Sequence, residues 1–193
     1  ARVTPAASTA MPYYAHTANH PDGTRDLDES KWQPLHVHLR NVAEHAAKFA
    51  ASFDASGEAR LAGLLHDLGK YAARFQARLR DPRIHGINHW AAGAAYAANH
   101  GQPLIAFPID GHHKGLPAKF GNEGLQQTLL KFADARERER LTSCREGLTE
   151  LVQRYLADGL PALVSPQITH ADPFAAALRA RFLLSVLTDA DFL

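Results

Sequence analysis

A histidine and an aspartate stand side by side in an apolar stretch, LLHDLGKY at residues 64–71. They are His66 and Asp67, and Lys70 follows at a spacing that puts it on the same side of a helix end. A buried carboxylate is costly unless it is paired or bound to a cation. The three residues therefore suit a metal-bound phosphate, with two ligands and one cation for the anionic oxygen. The alternative is a helix-terminal Asp–Lys pair beside a surface histidine.

Three further histidines lie at expected helix ends. The segment GHHKGLP contains His112 and His113, whose side chains diverge on a regular helix but can converge on a site where the helix ends. His89 opens another helix. The alternatives are solvated loop histidines for the first two residues and a capping residue for His89.

Two aspartates, Asp189 and Asp191, stand in the apolar segment LSVLTDADFL. Each is either buried with a cation or exposed at a fraying helix end, and exposure is a serious alternative to burial for Asp191.

His38 and His45 are seven residues apart and share a helix face, so either could be a ligand and the other a histidine at the edge of the core. We interpret the remaining histidines as surface or turn residues: His16, His20, His36, His85, His100 and His170.

Composition limits the classes of protein that the chain can represent. Its 193 residues suffice for one domain. A formal net charge of +1 excludes a positive potential over the whole surface that would attract nucleic acid. The single cysteine excludes a disulfide framework or a cysteine-based zinc finger, and fits the reducing cytoplasm. No apolar run reaches the roughly 20 residues of a membrane span, and no signal peptide is visible. The 12 histidines favour transition-metal binding.

Helical periodicity extends over most of the sequence, and no segment alternates for long enough to predict a strand. The sequence therefore predicts an all-α bundle of six or seven helices. We expect residues 1–10 to be an expression remnant or disordered lead and residues 11–193 to form one domain. Residues 12–34 read as an extended lead with turns, and 104–113 as a short apolar segment entering a loop. The expected helices are 35–53, 58–69 with Gly69 as C-cap, 71–80, 89–99, one or two within 122–157, and one beginning at Asp172-Pro173.

The ordered set H…HD…H…HH…D resembles the HD superfamily. The segments WQPLHVHLRNVAEHAAKFA, LAGLLHDLGKYAARFQARL, IDGHHKGLP and RFLLSVLTDAD further resemble the HD nuclease domain of type I CRISPR helicase-nucleases. The opening MPYYAHT is most similar to the type I-C branch, and the resemblance covers most of residues 11–193. It implies a helical domain, an HD bundle, with one or two divalent metals at a surface cleft.

The resemblance also implies roles for individual residues. Asp67 bridges the two metals, and Lys70 faces the scissile phosphate, so both are expected to be catalytic. A histidine-rich set favours Mn²⁺, Fe²⁺, Co²⁺ or Ni²⁺, although Mg²⁺ would work at cellular concentration. The ligands of the first metal are His38, His66, Asp67 and Asp189, and those of the second are His89, His112 and His113.

The implied activity is hydrolysis of single-stranded DNA, by an endonuclease or exonuclease. The implied partners are the CRISPR surveillance complex (Cascade), a helicase module in cis or in trans, and an anti-CRISPR inhibitor. No membrane is expected among the partners.

Trp90 departs from the family, which usually has a small hydroxyl residue there, and no phosphate-binding loop for ATP is present. The alternatives are an HD phosphohydrolase acting on nucleotides and a degenerate HD scaffold. Candidate DNA-path residues are Arg74, Arg78, Arg80, Lys114 and Lys119.

Overall fold

Nine α-helices occur in residues 12–163 and 172–193, which are the residues that this computed structural model describes. The predicted lead at 1–10 and His170, which was interpreted as a surface or turn residue, lie outside them. A short antiparallel pair, β1 (Tyr14–His16) and β2 (Gln33–Pro34), precedes the helices. The helices are α1 (Leu35–Ala50), α2 (Ser56–Leu65), α3 (Ala73–Arg80), α4 (Ala91–Asn99), α5 (Pro103–Gly111), α6 (Leu125–Ala133), α7 (Ala135–Thr142), α8 (Leu148–Ala157) and α9 (Pro173–Asp191).

The all-α prediction is confirmed, but the expected number of helices was too small. The apolar segment read as the approach to a loop is the helix α5, which begins with Pro103 in its first turn. The region 122–157 divides into three helices rather than one or two. Asp134 ends α6 and caps α7 by accepting from two backbone N–H groups, and Gly147 caps α8. The predicted start of α9 is confirmed, since the Asp172 side chain accepts from Phe174 N.

The HD segment itself was wrongly predicted to continue as helix to Gly69. The helix α2 ends at Leu65, and residues Leu68–Tyr71 form a 3₁₀ turn. Gly69 is not a helix cap: its N–H donates to the His89 carbonyl at 2.9 Å, and a Cβ there would collide with the His89 backbone. The glycine therefore permits the close approach of two segments that both carry site histidines.

Small residues let the helices around the core approach closely. A Cβ on Gly63 of α2 would lie 2.5 Å from Ala43 Cα of α1, and a Cβ on Gly93 of α4 would strike the Leu65 carbonyl. Burial of apolar side chains on α1 and α9 completes this core. The result is that the ends of α2, α4, α5 and α9 and the first turn of α1 meet. Among the described residues, no helix has both the length and the apolar character that a bilayer span requires.

Candidate metal centre

One carboxylate, that of Asp67, lies between two sets of histidines. Its Oδ2 atom lies 3.1 Å from His38 Nε2 and 3.2 Å from His66 Nε2. Its Oδ1 atom lies 3.3 Å from His89 Nε2 and 3.8 Å from His112 Nε2. Asp67 is buried and lies two residues after the end of α2, so the fold fixes the carboxylate between the two sets.

The backbone sets the protonation of three of these rings. The Nδ1–H of His66 donates to Gly63 O at 2.8 Å, and that of His112 donates to Ile109 O at 2.8 Å. His89 Nδ1 makes the same kind of bond to Ile87 O at 3.3 Å. A ring whose Nδ1–H is used in this way turns Nε2 toward the cluster, where that nitrogen binds a metal once it carries no proton.

Two buried acceptors in the cluster have no hydrogen-bond donor, Asp67 Oδ1 and His112 Nε2. The neighbouring His89 Nε2 lies 3.3 Å from Asp67 Oδ1 but makes no hydrogen bond to it. Leaving a buried acceptor unpaired costs about 1–3 kcal/mol, and a bound cation would offset that cost at both atoms. The separations of 3.1–3.2 Å between ligand atoms of His38, His66 and Asp67 also fit a shared cation, since ligands at about 2.1 Å from one metal lie roughly 3.0–3.4 Å apart.

The chemistry of the donors therefore fits one or two divalent cations. Three sets of side chains bring ligand atoms within 4.8 Å of one another. Asp67 belongs to two of these sets, which is the position expected of a bridging ligand. The sets are Asp67, His89, His112 and His113; His16, His38, Asp67 and Asp191; and His66, His112 and Asp191.

Charge within the cluster shifts several pKa values strongly. Burial alone would lower the pKa of His66, but Asp67 and Asp191 outweigh it and raise that pKa to about 10. Burial would raise the pKa of Asp67, but His66 and Lys70 hold it well below its usual range. Burial lowers the pKa of both His89 and His112 to about 3, so these rings are neutral at physiological pH. Neutral rings and an ionised carboxylate are the forms that bind metals.

Asp191, not Asp189, completes the first set, which corrects the expectation for α9. Asp191 Oδ1 lies 3.2 Å from His38 Nε2 and 3.3 Å from His66 Nε2. Asp189 is exposed and is absent from all three sets. Two residues correspond to about 200° around a helix, so the two side chains point in nearly opposite directions. The other predicted ligands, His38, His66, Asp67, His89, His112 and His113, are brought together, and their roles as ligands stay a prediction.

Sequence reasoning placed His16 at the surface, where it is indeed exposed, but missed that its ring reaches the cluster. The ring lies 5.0 Å from that of His38, and Nε2 lies 3.3 Å from Lys70 Nζ. His16 is in β1, where helical periodicity carries no signal, so its position could not be found by that route. His45, the alternative to His38, stacks near Phe49 at 6.4 Å and belongs to none of the three sets.

A cleft of about 380 Å³ opens beside the cluster and is lined by polar groups. Lys70 reaches it while its Nζ lies 2.6 Å from Asp67 Oδ2. Trp90 packs edge-on against His89 at 5.2 Å, on the side of the second histidine set, and its buried indole N–H has no hydrogen-bond acceptor. The cleft lining includes His16, Asn19, Arg25, Lys70, Arg78, His113 and Asp191.

Of the five candidate DNA-path residues, Arg78 lines this cleft and the other four do not. Arg80 pairs with Glu29, with Nε 2.6 Å from Oε1. Lys114 pairs with the buried Asp110, at 3.0 Å. Arg74 is exposed and acts electrostatically on Cys144, and Lys119 lies 5.0 Å above the Phe120 ring. Arg25, which the sequence did not single out, lines the cleft beside Arg78.

A helical bundle whose helix ends gather histidines around one aspartate offers a site that suits a metal-dependent hydrolase. Comparison with protein families agrees: residues 35–160 match the HD domain family, and the chain belongs to that family. HD domains form a superfamily of metal-dependent phosphohydrolases and nucleases. Five site histidines lie in the matched range, namely His38, His66, His89, His112 and His113, whereas His16 and Asp191 lie outside it. No curated protein matches the chain.

Proposed function

We propose that this protein is a metal-dependent nuclease that cleaves single-stranded DNA in type I CRISPR interference. The observation that carries the proposal is the Asp67 carboxylate, which has a histidine set on each side and a buried oxygen without a donor. A degenerate scaffold would gain nothing from burying such groups at a cost of free energy. The position of this carboxylate beside an open cleft supports phosphodiester chemistry there.

Separate groups of residues would hold the cations and stabilise the phosphate. A bound pair of divalent cations would supply Lewis-acid polarisation of the phosphate and a water of lowered pKa. Lys70 presents its ammonium group to the cleft, where it stabilises negative charge on a phosphate oxygen. His38, His66, Asp67 and Asp191 would hold one cation, and Asp67, His89, His112 and His113 would hold the other.

A polynucleotide suits the cleft better than a free nucleotide does. The cleft is open to solvent and has Arg25 and Arg78 on its wall, two cations that can follow a phosphate backbone. The formal net charge of +1 gives the whole chain little attraction for DNA. We therefore expect the surveillance complex and a helicase module, in cis or in trans, to deliver the strand in the cytoplasm. An anti-CRISPR inhibitor would act by covering the same cleft.

The direct test is to incubate the purified chain with circular single-stranded DNA and Mn²⁺, with and without EDTA. Cleavage that requires metal and is lost in Asp67→Ala supports the proposal, and a circular substrate identifies an endonuclease. Asp189→Ala is the matched control. Asp189 is exposed and belongs to none of the three ligand sets, so its removal should leave cleavage intact. Hydrolysis of small nucleotides without DNA cleavage would instead identify a nucleotide phosphohydrolase. Absence of metal binding would identify a scaffold.

A second experiment tests the path of the strand. Arg78→Glu should weaken the cleavage of single-stranded DNA and reduce its dependence on salt, because it reverses a charge on the cleft wall. Arg74→Glu makes the same chemical change outside the cleft and serves as its control. Equal effects of the two variants would show that the DNA does not follow this wall.

A further inference from the structure

His16 approaches the first histidine set from outside the part of the chain that matches the HD family. One of its ring nitrogens lies within 4.8 Å of ligand atoms of His38, Asp67 and Asp191. The residue precedes the matched range of 35–160 and belongs to a strand rather than to a helix of the bundle. The imidazole is thus a potential ligand that the family match does not contain.

Specific hydrogen bonds hold β1 where His16 can reach the cluster. His16 pairs with Gln33 of β2, directly before α1, the helix that carries His38. On the other side, the buried Gln76 side chain accepts from Tyr14 N at 3.0 Å and donates to Tyr14 O at 2.9 Å. The same amide donates to Lys70 O at 2.7 Å. Gln76 therefore ties the strand to the turn that follows Asp67.

The contact between His16 and Lys70 is consistent with a lone pair on His16 Nε2 that could bind a cation. Lysine has donors and no acceptor, so a Lys70 Nζ that lies 3.3 Å from His16 Nε2 donates to that nitrogen. Lys70 has a second acceptor at Asp67 Oδ2, so it keeps a partner if His16 turns to a cation. His16 is exposed on the cleft side, where the ring can make that small adjustment.

We propose that His16 is an additional ligand of the cation held by His38, Asp67 and Asp191, and that Gln76 positions it through β1. This inference rests on the metal site of the proposed function. It assigns the N-terminal strand a direct part in metal binding, although the strand lies outside the helical bundle.

Metal binding is measured directly to test this role, by calorimetric titration with Mn²⁺ and by the visible absorption of the Co²⁺ form. His16→Ala should weaken one of the binding events by at least about tenfold and change the Co²⁺ bands. His20→Ala removes an exposed histidine from the same N-terminal segment and should match the wild type. His16→Asp, which supplies a carboxylate oxygen in place of the imidazole nitrogen, should recover part of the lost affinity.

The outcomes separate this inference from the proposed function. Wild-type Mn²⁺ affinity and an unchanged Co²⁺ spectrum in His16→Ala would overturn the ligand role, even if DNA cleavage fell. If Asp67→Ala abolishes metal binding in the same experiment, the metal site stands and only the role of His16 is lost. If the wild type itself binds no Mn²⁺ or Co²⁺, both proposals fail together.

Discussion

Lys70 donates to Asp67 across 2.6 Å, from Nζ to Oδ2, and both residues are buried. The lysine thus places a positive charge against the carboxylate that also faces two sets of histidines. This charge helps to hold the pKa of Asp67 well below its usual range. At the same time it disfavours a second cation nearby, since like charges repel in a buried site. Because Lys70 opposes metal binding, we expect its contribution to be made in the cleft, where it can stabilise negative charge on a substrate phosphate.

Replacing this lysine by an apolar residue should therefore separate binding from catalysis. Lys70→Met should bind Mn²⁺ as tightly as the wild type or more tightly, because the repulsion is gone. Its cleavage rate should fall by about 10²-fold, the usual effect of losing one group that stabilises transition-state charge. The measurements are Mn²⁺ titration and single-turnover cleavage. Lys48→Met, an exposed change on α1, is the control, and parallel losses of affinity and rate in Lys70→Met would contradict this separation.

The two aspartates near the end of α9 offer a matched pair of substitutions. Asp191→Asn removes a charged oxygen that lies 3.2 Å from His38 Nε2, so Mn²⁺ affinity should fall by at least about tenfold. Asp189→Asn makes the same change two residues away on an exposed side chain and should leave affinity unchanged. Calorimetric titration of both variants decides the question, and a loss in Asp189→Asn alone would place the ligand at the position first expected from the sequence.

Proton release should accompany metal binding. The pKa of His66 is raised to about 10 by Asp67 and Asp191, against the effect of burial, so the metal-free cluster holds this proton at pH 7. A cation that takes His66 as a ligand must expel it. Affinity for Mn²⁺ should therefore rise about tenfold per pH unit from pH 6 to 8 and level off only near the raised pKa. His89 and His112, with pKa values of about 3, contribute no further protons in this range.

This proton can be counted by titrating Mn²⁺ at pH 7 in buffers of different ionisation enthalpy. The slope of apparent enthalpy against buffer enthalpy should give about one proton per protein molecule. His45→Gln, a histidine outside the three ligand sets, should give the same slope and serves as the control. A slope of zero would show that His66 is already neutral before the metal binds.

The helical class could be predicted from the sequence, because apolar periodicity is a local signal and indicated helices such as α1. The residues alone left the HD pair and the double histidine open between metal ligands and surface side chains, and the resemblance to the HD superfamily supplied the full set. His16 had no such signal, since its place depends on a strand held by Gln76, which lies 62 residues away from Tyr14. The choice between Asp189 and Asp191 depended on the rotation of α9, which packing against the core decides.

The close approach of α4 to α2 gives a prediction for stability. A Cβ on Gly93 would strike the carbonyl oxygen of Leu65, the residue before His66, so Gly93→Ala should destabilise the fold by about 1–3 kcal/mol. It should also weaken Mn²⁺ binding, because a shift of Leu65 away from the new methyl group would displace the neighbouring His66 and Asp67. Gly57→Ala, in open space on α2, should instead stabilise the protein by up to about 1 kcal/mol, from helix propensity. Urea unfolding of both variants in EDTA measures the two effects, and equal stability would mean that α4 can move away from α2 without cost.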